Sequence, residues 1–225
     1  MKVKFWINSL KIFGIIRSMK IFLKNNFRIF NINNTFLIKS KNLKHVTLKV
    51  SGINNRILIE KGVRLRELNI NISGNNNMLE IKNNTFIQKS SIIIDGNNNK
   101  TFLGFENNIY GLTIWQFEDN GLVSLGNNCL FAYNTEIRNT DSHPIYNLKT
   151  GERINLNKDI IIKDRVWVGE GARILKGVTI ESGNVVGLNS IITKSILNKN
   201  SIVVGNNKII KTDIKWEKDY IKNKN

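Results

Sequence analysis

Few residue types in this chain are equipped for chemistry. It has two histidines, His45 and His143, and a single cysteine, Cys129. His143 stands in the more suggestive setting, Thr-Asp-Ser-His-Pro-Ile-Tyr at 140–146. Pro144 restricts His143 to extended backbone conformations. Asp141, two residues earlier, is near enough in sequence to orient an imidazole, as backbone carbonyls also are. A neutral imidazole at pH 7 suits removal of a proton from a hydroxyl or amine as it attacks a carbonyl. A lone histidine is more often structural, so the local sequence does not by itself assign catalysis. No Gly-x-Ser-x-Gly elbow accompanies it, and phosphate-loop and dinucleotide signatures are absent. Cys129, in LGNNCLF, reads as a filler of a repeat block. His143 would therefore act on two bound substrates rather than through a covalent enzyme intermediate. Two histidines cannot make a three-His metal site, and one cysteine excludes both a Cys-based zinc site and a disulfide scaffold. No metal is expected.

The elements that must hold His143 show themselves as a repeat. From 161 onward the sequence divides into IIKDRV, WVGEGA, RILKGV, TIESGN, VVGLNS and IITKSI. The second residue of each block is Ile162, Val168, Ile174, Ile180, Val186 or Ile192. A period of six drifts around a helix. It suits a three-sided coil in which each block supplies one short strand and a corner. The β-branched residue then points inward, and Gly, Asn or Asp takes the corner. Three blocks close a turn of about 18 residues, and only stacking of turns buries a core. Upstream, SGINN, SGNNN and DGNNN place Gly52, Gly74 and Gly96 at even spacing, and LGNNC adds Gly126. These read as earlier turns with longer corners. Asn and Gly there satisfy turn chemistry, and an asparagine ladder along the axis is a further expectation.

Three regions follow: a basic amphipathic arm or cap at 1–40, a β-solenoid at 45–211, and a polar Lys/Asn tail at 212–225. Residues 143–159 do not fit the six-residue frame. They read as a loop thrown out of the coil, where sites tend to be carried. The chain has 34 Lys+Arg against 17 Asp+Glu, a net charge of +17, with 41% hydrophobic residues. That composition is too apolar for a disordered chain. No stretch reaches the length of a membrane-spanning helix, and no cleavable signal is evident. The expected location is cytoplasmic. The arm, without an acid before Glu60, is expected to pack on the body or a neighbouring subunit. Contact with the inner face of a membrane is the second reading.

The blocks at 161–196 with SIVVGNNKIIK (201–211) resemble the hexapeptide-repeat acyltransferases. The run IRNTDSHPIY, ERIN and IIIKDRVWVGEGARILKGVTI is similar to bacterial capsule and lipopolysaccharide O-acetyltransferases, those acting on polysialic acid included. The resemblance implies an all-β, left-handed parallel β-helix assembled as a homotrimer. It implies acetyl-CoA as co-substrate and a saccharide hydroxyl as acceptor. His143 matches the catalytic base, with Asp141 its candidate partner. Trp167 matches an aromatic beside the site. Gly187, Asn189 and Ser190 match the stretch along the pantetheine arm, and Gly205 matches the glycine of the last coil, here without the family's usual Pro-Ala after Gly-Asn. Gly169 and Ala172 frame amides that are candidates for the oxyanion donor. Lys194, Lys208 and Lys211 are candidates for the coenzyme A phosphates.

A net charge of +17 suits a polyanionic acceptor. Arg138, Tyr146, Arg153, Lys158 and Arg165, near His143 in sequence, are candidates to line its groove. The alternative is an N-acetyltransferase acting on an amino sugar nucleotide. Ice binding is disfavoured by irregular threonines. Nucleic-acid binding is disfavoured because lysine is diffuse and no basic–aromatic module appears.

Overall fold

The computed structural model describes residues 25–29, 31 and 33–219. The proposed arm before residue 25, and the tail from 220, lie outside the described residues. The described chain is a stack of parallel β turns, with no helix. One turn illustrates the rest. Met78–Ile81 forms the first side. Phe86–Asp95 bends at Lys89, with φ of 49°, and so supplies the second and third sides. Glu67 bends Arg64–Ser73 the same way at φ 51°. These two bent strands join the second and third faces into one fifteen-stranded sheet, while the first face is a separate seven-stranded sheet.

Each strand pairs with its counterpart one turn later. In the early coil the step is 22 residues, as in Arg56↔Met78 and Met78↔Lys100. In the late coil it is 18, as in Ile161↔Thr179 and Trp167↔Val185. The six-residue frame is observed: Ile162, Val168, Ile174, Ile180, Val186 and Ile192 are all fully buried. The small or branched last residues of the blocks, Val166, Ala172, Val178, Asn184 and Ser190, also face inward. Inward aliphatics stacked at every turn make one continuous core, which no single turn could form.

The excess residues of the early turns lie at one corner, and both expectations for it hold. The corner asparagines Asn54, Asn76, Asn98 and Asn120 have positive φ. Their side-chain amides also donate up the stack, Nδ2 to Oδ1, at 3.2–3.3 Å. Beside them runs a buried ladder, Asn34, Asn55, Asn77 and Asn99. Each Oδ1 accepts the backbone N–H of the next member, at 2.8–2.9 Å. Gly74 shows why glycine starts the motif: a Cβ there would sit 2.0 Å from the Gly96 carbonyl oxygen, at φ 109°.

Three sequence expectations change. Gly126 is not the fourth member of the Gly52–Gly74–Gly96 column. It stacks over Gly104 at another corner. The fourth place is Glu118, followed by Asp119 and Asn120, so a carboxylate replaces the glycine directly beneath the loop. The coil also starts before residue 45. Asn26–Ile29 and Thr35–Ile38, inside the span assigned to the arm, pair in parallel with Thr47–Val50 and Arg56–Ile59. Finally, the first part of the polar tail is docked. After an antiparallel strand, Lys208–Lys211, the chain descends the corner between the first and second faces. Ile214 N–H donates to Asn200 O, Trp216 Nε1 to Arg165 O, and Lys218 Nζ reaches Glu106 O.

Candidate active site

The six-residue frame breaks after Thr135–Arg138 on the third face, and resumes at Ile160–Ile162 on the first. The intervening loop occupies the corner that Gly-Asn-Asn-Asn takes in earlier turns. Its base is closed by Lys158 N–H donating to Asn139 O at 3.0 Å. Inside the loop a short antiparallel pairing, Tyr146 with Arg153, turns the chain back. Ile154 N–H donates to Ile145 O at 2.9 Å.

His143 lies on the rising limb of this loop and is exposed. Ser142 before it has φ of 66°, and His143 N–H closes a tight turn onto Asp141 O at 2.8 Å. Asn155 on the returning limb fixes the turn. Its Nδ2 donates to His143 O at 2.8 Å and to Asp141 Oδ2 at 3.0 Å. Its Oδ1 accepts Ile145 N–H at 2.7 Å. Lys176, one turn above on the rigid coil, ion-pairs with Asp141 and donates to Asn155 O. The hydrogen bond from Lys176, ahead of the one from Asn155, holds the Asp141 carboxyl below its ordinary range. The partners that Asp141 Oδ2 takes are thus Lys176 and Asn155. The Asp141 carboxylate braces the turn from which His143 projects.

A second brace sits under the loop. Glu118 receives Arg153 through two contacts, at 2.8 and 2.9 Å, and the Thr140 hydroxyl at 2.5 Å. Burial alone would raise the Glu118 pKa, but the Arg153 and Thr140 hydrogen bonds outweigh it and the net shift is downward. Nearby, Arg138 pairs with Glu136 at 2.8 Å and lies over the Trp115 ring at 5.2 Å.

The other candidates distribute as follows. Arg138, Tyr146 and Arg153 gather at the loop. Arg165 does not: it sits at the corner between the first and second faces, donating to Trp216 O at 3.1 Å. Trp167 is on the second face, half-exposed, with its ring 6.0 Å from that of Trp216. Within one chain it is on a different side of the prism from the loop. Ala172 is fully buried, a core residue with no surface to offer a ligand. The Gly169, Gly171 and Ala172 amides already donate to Val186 O, Tyr133 O and Gly169 O, so none is available as an oxyanion donor. Gly169 and Gly187 are explained by coil stacking, since a Cβ would meet Leu188 N at 2.9 Å and the Val204 side chain at 2.8 Å respectively. Asn189 takes a corner at φ 53°, and Ser190 is buried. Lys194, Gly205, Lys208 and Lys211 collect at the C-terminal end of the column. There Gly205 O accepts Ile191 N–H, and Asn207 Oδ1 accepts Lys194 N–H. Cys129 is inert: burial pushes its thiol up to about 12.

Asn155, Lys176 and Glu118 escaped the sequence reading. Asn155 had a signal, as the last residue of ERIN. Lys176 was hidden by the excess of lysine, and Glu118 by the assignment of Gly126 to its column.

No family model matches the chain. Among curated proteins, 58 residues are 53% identical to the polysialic acid O-acetyltransferase of Neisseria meningitidis, covering 26% of this chain and 27% of that protein. A second match, 54 residues at 43% identity, is the polysialic acid O-acetyltransferase of Escherichia coli O1:K1 / APEC, covering 24% of this chain and 18% of that one. The matched stretches thus span about a quarter or less of those relatives' length. Among solved structures the likeness is wider. The crystal structure of the polySia specific acetyltransferase NeuO superposes with a TM-score of 0.80 and 32% identity, over 87% of this chain and 90% of that one. The polysialic acid O-acetyltransferase OatWY gives a TM-score of 0.63 and 34% identity, over 84% and 93%.

Proposed function

This chain belongs to the polysialic acid O-acetyltransferase family of left-handed β-helix, hexapeptide-repeat acetyltransferases, and from that premise we propose that it moves an acetyl group from acetyl-CoA to a sugar hydroxyl of an acidic surface polysaccharide. The observation that carries this reading is the bracing of His143. A base on a floppy loop would lose most of the benefit of orientation. Here the turn that projects His143 is tied to a rigid coil through Asn155 and Lys176.

The step itself is simple. The imidazole of His143 takes the proton of the acceptor hydroxyl as its oxygen attacks the thioester carbonyl. The tetrahedral intermediate collapses, the C–S bond breaks, and the coenzyme A thiolate leaves. The proton on the imidazolium neutralises that thiolate. Holding donor and acceptor side by side supplies much of the rate enhancement, and an N–H aimed at the developing oxyanion adds more.

The active species is a homotrimer in this reading. Two features support it. Trp167 and the His143 loop occupy different sides of one prism, so they meet only when two copies pack together. The loop also carries apolar side chains that have no partner in one chain: Leu148 is 102% exposed and Ile154 64%. The test is an acceptor panel with acetyl-CoA, read by mass spectrometry. Polysialic acid is expected to gain 42 Da increments, about the mass of an added acetyl less a hydrogen. Acetylation of an amino sugar nucleotide and not of the polymer would replace this reading with N-acetyl transfer.

A further inference from the structure

The second face of the early coil has a composition that the catalytic reading leaves unused. Trp167 stands in a vertical register column that runs up to Val185 and Ile202 and down through Leu130, Asn108 and Phe86 to Arg64. Beside it runs Tyr110, Gln88, Arg66 and Lys44. The rings form a chain of contacts, with Phe86 to Tyr110 at 5.5 Å and Tyr110 to Tyr133 at 5.8 Å. Below them, the Arg64 and Arg66 guanidinium groups lie over the Phe86 ring at 4.9 and 5.6 Å. Both arginines are exposed, and among the described residues neither pairs with a carboxylate. Strand residues 42–44, 64–66, 86–88, 108–110, 130–131 and 167–168 contain no Asp or Glu. The bordering acids Glu67 and Glu106 sit on the corners.

This arrangement differs from the general lysine excess in being built. Stacking on Phe86 pre-orders two guanidinium forks, so less entropy is lost when they grip an anion. A guanidinium fork matches a carboxylate with two parallel hydrogen bonds. The Phe86 ring itself is buried beneath the two guanidinium groups, while the partly exposed Tyr110 and the exposed Tyr133 offer flat apolar contact beside those charges. Adjacent turns are about 4.8 Å apart, so the five steps from Asn42 to Trp167 span roughly 24 Å. A face with aromatic rungs, unpaired arginines and no acid fits one kind of occupant, an extended chain bearing regularly spaced carboxylates.

We propose that the Arg64–Arg66–Phe86–Tyr110–Tyr133 strip is a docking track for a carboxylate-bearing glycan chain, holding the acceptor polymer several sugars away from the reacting hydroxyl. The proposal rests on the acetyltransferase reading for the identity of that chain. It moves acceptor capture away from Arg138 and Arg153, which are occupied by Glu136 and Glu118.

The test uses the full chain with the double substitution Arg64→Gln, Arg66→Gln. With a long polysialic acid acceptor, KM is expected to rise on the order of tenfold, at nearly unchanged kcat. The salt dependence of kcat/KM should flatten at the same time. A short sialyl oligosaccharide, which cannot reach from the loop to Arg64, should be turned over within about twofold of wild type. Equal KM for the long polymer in both proteins overturns the track. So does dissociation of the oligomer by the double substitution in sedimentation, which would make this face a subunit interface. If the wild type acetylates neither acceptor, the function reading fails instead. Binding of fluorescent polysialic acid to wild type and double variant then decides the track by itself, with dextran and single-stranded DNA as competitors. Binding weakened by the substitutions supports it. Binding that is unchanged, or that DNA displaces while unlabelled polysialic acid does not, overturns it.

Discussion

His143 owes its position to three residues that do no chemistry themselves. Asn155 spends all its hydrogen-bonding capacity on the turn, Lys176 ties that turn to the coil, and Glu118 holds the loop from below through Arg153. Replacing Asn155 with Ala removes four bonds, the one from Arg153 Nε included, and leaves the His143 carbonyl unanchored. We expect kcat to fall at least tenfold with little change in the KM for acetyl-CoA, and the circular dichroism spectrum to stay that of the wild type. The braces also carry a pH signature. The Asp141 and Glu118 carboxyls are both shifted below their ordinary values. Groups with lowered folded-state pKa stabilise the fold above the unfolded pKa, and lose that contribution as pH falls through the folded value. Protection of the Ile145 and Ile154 amides, taken relative to their intrinsic exchange rate at each pH, should thus hold from neutral pH down to about pH 5 and fall only below about pH 4. Loss of protection already at pH 6 would show that the ion pairs do not brace the loop. The sequence made His143 legible because histidine is scarce here and Pro144 follows it. It could not show the partner that Asp141 meets, because nearness in sequence says nothing about which way a side chain points, and that lysine is 35 residues away.

The turns themselves were readable because period six excludes a helix, and the inward residues are β-branched. What sequence spacing could not show was that Glu118 had taken a glycine's place, since the motif there reads Glu-Asp-Asn-Gly rather than Gly-Asn-Asn-Asn. The two asparagine columns have separable roles. Asn77→Ala leaves the Asn99 N–H and Gly96 O of the buried ladder without their partners. It should cost about 2 kcal/mol in urea unfolding. Asn76→Gly, at the exposed corner with φ 57°, keeps the turn geometry and should fall within about 0.5 kcal/mol of wild type. Equal effects would mean that the ladder is incidental to turn chemistry. The descending C-terminal segment was read as a plain polar tail, yet Trp216 packs on Trp167 and is buried. Trp216→Phe keeps the ring and loses the Nε1 donation to Arg165 O. It should destabilise by about 1 kcal/mol, and Trp216→Ala by more. Identical stabilities for all three would show that the segment is not fastened to the corner.

At the scale of the molecule, a column of parallel turns is stiff along its axis and has nearly flat sides. It gains concavity only where a loop leaves it or where copies meet. In the proposed reading the loop at the late coil and the basic aromatic strip of the early coil are complementary, one for reaction and one for capture. Core and architecture were legible because the repeat is written in every turn. The relation between the loop and the second face was not, because in the proposed homotrimer it depends on contacts beyond one chain. The central claim, that His143 is the base for transfer to a polymer hydroxyl, is tested most directly by the initial rate of acetyl transfer from acetyl-CoA to polysialic acid, compared between wild type and His143→Ala. The rate should fall by about 100-fold or more, with thermal unfolding and sedimentation unchanged. A variant that keeps the wild-type rate would place the base elsewhere and remove His143 from the reaction.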